Sequence, residues 1–317
     1  ERGESVLLLA MHGVKGAGLL QRLRVLLWEL PKAVMQIRRS WRDEQPDLLV
    51  GVGGYASISG VVAALLSRIP VVLYEQNAMP GLVNRTLARF CRRIMLGFAE
   101  ASRHLAAGVG HSVNGNIVRD GIAKLQWQPH NPPKLLVMGG SQGALVLNRT
   151  VPQAFAQLIR EGREFTVCHV AGKDEVARAE AAAIYTQAGI SAEVLGFCDD
   201  MAAFYASGDL MIARAGPMSV TEAAISGMPS LFVPLPHAAD DHQRFNAQSL
   251  ADADGAKVLL QSEMSSESVA AAIDALMFDQ TALCKMSEAA RAWAPYSARE
   301  KQLDVLAEFL PQVEAKT

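Results

Sequence analysis

The sequence predicts an α/β protein built from two doubly wound domains with parallel sheets, and three observations lead there. Short, wholly apolar runs alternate with helical stretches along most of the chain, the pattern of strands covered on both faces by crossover helices. That alternation occurs twice, on either side of a stretch at 125–133 rich in Pro, Gln and Asn, which reads as a linker. Glycine-containing turns follow three of the apolar runs, at Gly53-Gly54, Gly139-Gly140 and Gly216-Pro217, where sheets of this class collect their ligands. With 317 residues, half of them hydrophobic and a fifth charged, the chain is long enough for two separate cores. The expected domains are 1–124 and 125–297, and the last helical stretch, about 298–317, is free to pack back on the first.

Val6, Leu7, Leu8 and Leu9 form the first strand candidate. From Leu20 onward, Leu23, Leu27, Leu30, Val34, Ile37 and Trp41 step by three and four, a helical stripe that Pro31 should break or bend. Residues 15–42 hold seven basic side chains and one acid, Glu29. Such a segment is either a solvated helix face over a core stripe or a surface that rests on anionic lipid, helped by the surplus Leu19, Leu26 and Trp28. A strand at 47–50 then runs into Gly51, Gly53 and Gly54, with a helix through 61–66. Strand 71–74 ends at Glu75-Gln76-Asn77, a weaker strand spans 93–96, and 112–119 closes this half.

In the second half, strand 134–138 leads into Gly139-Gly140-Ser141-Gln142-Gly143-Ala144 and a helix. Strands follow at 166–170 and 192–197, and a last one at 257–260. Between them lies the stretch the chain is organised around. The run Leu210, Met211, Ile212, Ala213 ends at Arg214; Ala215-Gly216-Pro217 turns; a helix runs from Met218 and stops at Gly227; strand 230–233 follows. This is a βαβ unit. The first N–H groups of such a helix lack partners and carry the positive end of its dipole, so the turn suits a phosphate. Glu222, one turn in, is either an acceptor for ribose hydroxyls or a plain surface acid at a helix start.

A net charge of −2 argues against general nucleic-acid binding. Cys91, Cys168, Cys198 and Cys284 are scattered without metal-ligand spacing and read as small buried residues of a reducing compartment. No apolar run is long enough to span a bilayer, and Glu1-Arg2-Gly3-Glu4 opens the chain with no basic-then-apolar leader. The chain begins without Met, as if inside a domain. Neither G-x-G-x-x-G nor a P-loop is spelled at the glycine turns. His12, His104, His111 and His130 have no carboxylate at meaningful spacing and read as surface residues, whereas His169 lies in an apolar strand and reads as a satisfied buried histidine. His237 and His242 sit on a polar loop that could reach a ligand, and Asp199-Asp200 reads as a helix cap rather than a metal pair.

In order and spacing, seven segments resemble one family: Gly51-Val52-Gly53-Gly54-Tyr55, Glu75-Gln76-Asn77-Ala78, Gly115-Asn116-Ile117-Val118-Arg119, the Gly139-to-Ala144 turn, Phe197-Cys198-Asp199-Asp200-Met201, Arg214 to Glu222, and His242-Gln243 with Asn246-Ala247. They are similar to the lipid-intermediate N-acetylglucosaminyltransferases of bacterial peptidoglycan synthesis, within glycosyltransferase family 28. The resemblance implies a GT-B architecture, two Rossmann-like domains facing a cleft. It implies inverting transfer of GlcNAc from UDP-GlcNAc to the MurNAc 4-hydroxyl of lipid I, giving lipid II. It also implies no cofactor or metal, a peripheral place on the cytoplasmic face of the inner membrane, and contact with the cell-wall synthesis complexes that serve cell shape and division.

By position, the resemblance puts Glu222 on the ribose and the Cys198 backbone on uracil. Ser141 and Arg119 flank the diphosphate, Met218 and Ser219 neutralise the leaving UDP, and His242 and Gln243 hold the GlcNAc hydroxyls. Gly53, Gly54, Tyr55 and Asn77 line the acceptor side, and Leu19, Leu20, Arg22, Leu23, Arg24, Leu26, Leu27 and Trp28 correspond to the membrane contact. The family's Gly-x-Gly-Gly-His loop, which supplies a candidate general base, has no counterpart in the sequence. No catalytic residue is therefore named, and the chain is expected to be N-terminally shortened and inactive as it stands. Ile117 and Cys198 replace the Pro and Ile usual in the family. The alternatives are another UDP-sugar GT-B enzyme, such as an epimerase, and a non-catalytic nucleotide-sugar-binding module.

Overall fold

The structure is a computed structural model and describes residues 6–9, 18, 24–140, 144–236 and 239–311, the side chains of Leu26, Tyr55, Ala56 and Ala239 aside. Two compact units share the chain: 1–115 with 297–317, and 116–296. The crossing thus falls at Gly115–Asn116, ahead of the expected 124/125 boundary.

In the first unit, β1 (Leu49–Gly51), β2 (Val71–Glu75), β3 (Arg93–Leu96) and β4 (His111–Val113) form a parallel sheet in that spatial order. Side chains alternate across it, as the pleat requires. Val71 and Leu73 meet Val61 and Ala64 of helix Gly54–Leu66 on one face. Val72 and Met95 meet Val305 on the other. Val305 belongs to helix Ala298–Ala307, so the C-terminal segment completes this core. Polar ties fix it there: Gln302 Nε2 donates to Gly115 O at 2.7 Å, Asn114 Nδ2 donates to Lys301 O at 2.9 Å, and Arg93 pairs with Glu308 at 3.0 Å.

Two expectations in this unit need correction. Val6–Leu9 enters no sheet, and Val6 and Leu8 are largely exposed; an apolar run makes a strand only where a neighbour offers a ladder. Of the break or bend expected at Pro31, the break does not occur. The backbone stays helical from Val25 into helix Leu30–Ser40, and one wide turn, with Leu30 N–H donating to Val25 O, precedes the proline. An i→i−5 turn of this kind accommodates the missing donor and the bulk of the ring. The extra residue rotates the upstream face by roughly 100°. Val25 therefore joins Val34 and Ile37 in the core, while Leu27 is 66% and Trp28 76% exposed.

The second unit carries six parallel strands in the order β10-β9-β8-β5-β6-β7. They are β5 (Lys134–Met138), β6 (Thr166–Val170), β7 (Ala192–Leu195), β8 (Leu210–Ala213), β9 (Ser230–Phe232) and β10 (Lys257–Val258). The order reverses between β5 and β8, so the loops leaving their C-terminal ends diverge to opposite faces and open a crevice. Those loops are the turns at Gly139 and Gly216. Helix Pro217–Ser226 stops as expected: Gly227 has φ +71°, and a Cβ there would lie 2.8 Å from Ser287 Oγ. Only glycine meets both demands.

Residues 125–133 are not a free linker. Buried Asp209 accepts from His130 N at 2.6 Å and Lys134 N at 2.7 Å, and its own carbonyl accepts from Trp127 Nε1 at 3.1 Å. His130 Nδ1 also lies 3.3 Å from Asp209 Oδ1, so this exposed histidine has the carboxylate partner its sequence neighbours lack. Pro-rich composition marks irregular backbone, and irregular backbone can still be packed.

His169 is buried and satisfied. Its Nδ1 lies 3.1 Å from Tyr185 Oη and its Nε2 3.1 Å from Asn148 Oδ1, while Asn148 Nδ2 donates to Ala171 O at 2.8 Å. Because Asn148 spends its amide on Ala171, its oxygen must accept, which assigns the ring hydrogen to Nε2. Burial pushes the His169 pKa down to about 4 from an ordinary 6.5. The unfolded chain then binds more protons than the folded one between those values, so stability is full above pH 6.5 and falls as pH drops toward 4. Chemical denaturation across this window should lose about 3 kcal/mol from this group. A His169→Gln variant should lack that component; an unchanged pH profile would remove His169 as its source.

Candidate functional site

The residues brought together in the second unit lie at the reversal point of the sheet. All of β8 is buried between β5 and β9. Its C-terminal end delivers Arg214 and Ala215 below the surface and then Gly216 and Pro217, half-buried, at the start of helix Pro217–Ser226. Pro217 suits the first helical position, where no N–H is needed. Among the described residues no side chain caps this helix. Helix Leu145–Arg160 after the Gly139-Gly140 turn, and helix Gly54–Leu66 after Gly53, are uncapped as well. Asp174, Asp200, Ser265 and Asp279 cap the helices that follow them, while the helices starting at Leu30, Leu82, Asp120, His242 and Ala298 are uncapped too. Among the described residues, no side chain caps the opening amides at the three glycine turns, a setting in which a helix start can bind an anion. Met218 and Ser219 supply two of them. Ser141 lies outside the described residues.

Glu222 is 7% exposed, which removes its reading as a surface acid. Its Oε2 accepts from Tyr205 Oη at 3.2 Å. Burial raises its pKa above the ordinary carboxylate value, opposed by the charge of Arg119 and by the Tyr205 hydrogen bond. Arg119 itself is exposed, at the start of the short helix Asp120–Ala123. Asn116 Nδ2 donates to Thr221 Oγ1 at 3.1 Å, fixing the approach of residues 116–119 to the helix of Glu222. Cys198 follows β7, half-buried, with Sγ 3.4 Å from Asp200 O. Asp200 Oδ1 accepts from Ala203 N at 2.9 Å, the expected cap. Helix Met201–Ala206, which it opens, carries Tyr205 and so connects the Cys198 loop to Glu222.

His242 and Gln243 begin helix His242–Ala251 and are half-buried. Gln243 Oε1 accepts from Leu235 N at 2.9 Å, so the amide nitrogen is the group it can offer a ligand. Asn246 Nδ2 donates to Ala215 O at 3.2 Å, holding this helix against the Gly216 turn. His237 lies outside the described residues.

Two residues of this region received no role from the sequence. Arg214, 8% exposed, donates through Nη1 to Val233 O at 3.0 Å and Pro234 O at 3.2 Å, and through Nη2 to Gln261 Oε1 at 2.6 Å. It staples the loop after β9 to the segment after β10 rather than presenting its charge to an anion. Beside it opens a cavity of about 550 Å³, lined by Pro234, Leu235, Asp240, Asp241, Arg244 and Gln261. Tyr205 is the second. Its pairing with Glu222 spans seventeen residues and has no local pattern; an arginine at a buried strand end was the signal for Arg214.

In the first unit, Gly53 and Gly54 have φ of +83° and +76° where β1 gives way to helix Gly54–Leu66; the Tyr55 side chain lies outside the described residues. Glu75, buried at the end of β2, accepts from four donors: Asn77 N at 2.9 Å and Nδ2 at 3.2 Å on Oε1, Gly81 N at 2.9 Å and Asn84 Nδ2 at 2.9 Å on Oε2. Asn77 is therefore held in a loop wound around one carboxylate. Of the remaining expected surface, Arg24 pairs with Glu29 at 3.5 Å beside the exposed Leu27 and Trp28. Leu19, Leu20, Arg22 and Leu23, and the side chain of Leu26, lie outside the described residues.

The chain matches the glycosyltransferase family 28 N-terminal domain over residues 7–96 and the family's C-terminal domain over 134–304. It is 41% identical over 304 residues to the UDP-N-acetylglucosamine–N-acetylmuramyl-(pentapeptide) pyrophosphoryl-undecaprenol N-acetylglucosamine transferase of Aeromonas hydrophila, covering 95% of this chain and 82% of that one. The transferase of the same name from Hydrogenovibrio crunogenus is 39% identical, over 94% and 82% of the two chains. Among solved structures, Acinetobacter baumannii MurG superposes with a TM-score of 0.75 at 33% identity, over 89% of this chain and 80% of that one. A UDP-GlcNAc 2-epimerase from Neisseria meningitidis reaches 0.64 at 13% identity, a likeness of fold alone.

Arg214→Met should orphan Val233 O, Pro234 O and Gln261 Oε1 together and destabilise the protein by about 2–4 kcal/mol. Urea denaturation would read this as a lower midpoint; a midpoint unchanged from wild type would mean the staple carries no stability.

Proposed function

The chain belongs to glycosyltransferase family 28, and on that premise we propose that it transfers GlcNAc from UDP-GlcNAc to the MurNAc 4-hydroxyl of lipid I, forming lipid II with inversion at the anomeric carbon. The named relatives carry the substrate assignment; they are transferases, which leaves the epimerase alternative unsupported. The observation that carries the donor site is a buried carboxylate, Glu222, inside a helix whose opening amides have no side-chain cap.

The chemistry follows from that pairing. In the displacement the acceptor O4 bonds to the sugar C1 as its hydroxyl proton is released to solvent. The C1–O bond to UDP breaks with its electron pair, and negative charge gathers on the departing diphosphate. Amides of Met218 and Ser219 at the positive end of the helix take up that charge as it forms, with Arg119 beside them. Glu222 accepts from the ribose hydroxyls, the Cys198 loop meets the uracil, and His242 with the Gln243 amide nitrogen holds the sugar. Ser141 completes the diphosphate cradle. Gly53, Gly54, Tyr55 and Asn77 serve the acceptor.

The acceptor is a lipid, so the enzyme must work at a bilayer surface. Among the described residues no helix is long and apolar enough to cross one. Leu27 and Trp28 stand exposed on a helical segment flanked by Arg24, Lys32, Arg38 and Arg39, a composition suited to an interfacial contact with anionic lipid. This supports peripheral attachment on the cytoplasmic face, where cell-wall synthesis complexes that serve cell shape and division would find the enzyme.

Conversion of lipid I to lipid II by the purified chain, with an N-terminally extended chain alongside, tests the activity. Glu222→Ala should weaken UDP binding at least tenfold by calorimetry, since a hydrogen bond to a charged acceptor is worth about 1.5–3 kcal/mol; unchanged binding takes Glu222 out of the site. Flotation with anionic vesicles should carry the protein upward, raised salt should release it, and Trp28→Ala should reduce the bound fraction. Binding indifferent to lipid charge and to Trp28 counts against the interfacial contact.

A further inference from the structure

We propose that Tyr205 is a positioning residue of the nucleotide site, orienting Glu222 through the hydrogen bond to Oε2 so that Oε1 remains for the ribose. The inference rests on the reading of Glu222 as the ribose acceptor and adds the residue that makes it competent. Tyr205 is buried on helix Met201–Ala206, its ring edge-on to Phe204 with centroids 5.9 Å apart. A phenol hydroxyl in such a place needs a partner, and a carboxylate as buried as Glu222 needs a donor. Each meets the other at 3.2 Å.

The two buried glutamates, Glu75 at a strand end and Glu222 within a helix, show why this matters. Glu75 has both oxygens taken, two donors on each, and so can only organise its own loop. Glu222 has a single hydrogen-bond donor among the described side chains, and that donor sits on one oxygen. A planar carboxylate pinned at Oε2 has its remaining oxygen fixed in direction as well, so a diol meets a pre-set acceptor rather than a rotating one. Burial favours the neutral acid, and the phenol hydrogen bond and the Arg119 charge oppose it; without the phenol, Glu222 is both looser and a poorer acceptor.

Calorimetry with UDP and with 2′,3′-dideoxyuridine diphosphate separates positioning from mere packing. Tyr205→Phe should weaken UDP binding about three- to tenfold, the worth of one hydrogen bond, and change binding of the dideoxy nucleotide less than about twofold on the same basis. Equal losses for both ligands would mean the hydroxyl only supports the fold, and the proposal would be overturned. The double variant Tyr205→Phe/Glu222→Ala leaves no orphaned carboxylate and provides a second reading even if the single variant folds poorly. It should bind UDP as Glu222→Ala does; a further loss overturns the proposal. Should Glu222→Ala weaken UDP while Tyr205→Phe does not, the positioning role fails and the ribose site stands. Should Glu222→Ala leave UDP binding intact, the ribose site itself fails.

Discussion

A helix begins with backbone N–H groups that have no partner inside it, and only some helices of this protein meet that demand with a side chain. Helices that open with Asp174, Asp200, Ser265 or Asp279 satisfy it from their own sequence. Those that open after Gly53, Ala144 or Gly216 do not. All three of the latter leave the C-terminal end of a parallel strand, where sheet geometry already gathers loops. Other helices, at Leu30, Leu82, Asp120, His242 and Ala298, also lack a side-chain cap. What sets these three apart is the glycine turn at a strand end, and under the proposed function a diphosphate would take the place of the cap. In the second unit Asn246 ties helix His242–Ala251 to the Gly216 turn, and Arg214 ties together the loops that follow β9 and β10.

Buried acids supply the complementary lesson. Glu75, Asp209 and Glu222 are all removed from water, and each is tolerated because something donates to it. What differs is how much of the carboxylate is used up. Asp209 binds the 127–134 segment to the entrance of β8, and Glu75 gathers the loop that carries Asn77. Glu222 keeps acceptor capacity in reserve. The donor count per carboxylate is thus what separates Glu75 from Glu222, and the ribose role proposed for Glu222 relies on that difference.

Much of this was legible in the amino acids because it depends on local pattern. The apolar runs located the strands, Gly227 located a helix end, and glycine turns marked the C-terminal ends of strands in both sheets. Features set by distant partners were not. Val6–Leu9 has strand composition and no ladder; residues 125–133 have linker composition and a firm anchor at Asp209. The wide turn before Pro31 reset the helical face, so Leu27, in phase with the core stripe by sequence, points outward. Arg214 and Tyr205 were in view as letters, and only the fold supplied the carbonyls and the carboxylate that give them work. The resemblance named Glu222, His242 and Gln243, but not that Gln243 already spends its oxygen on Leu235.

The return of helix Ala298–Ala307 to the first unit has a consequence for how the chain matures. The second unit is a continuous stretch, while the first lacks one wall of its core until helix Ala298–Ala307 has been synthesised. During synthesis the downstream body can close first, and the upstream one must wait with Val72 and Met95 uncovered, a sticky interval that invites chaperone capture. A stop codon near residue 297 would accordingly damage the half of the molecule farthest from it in sequence.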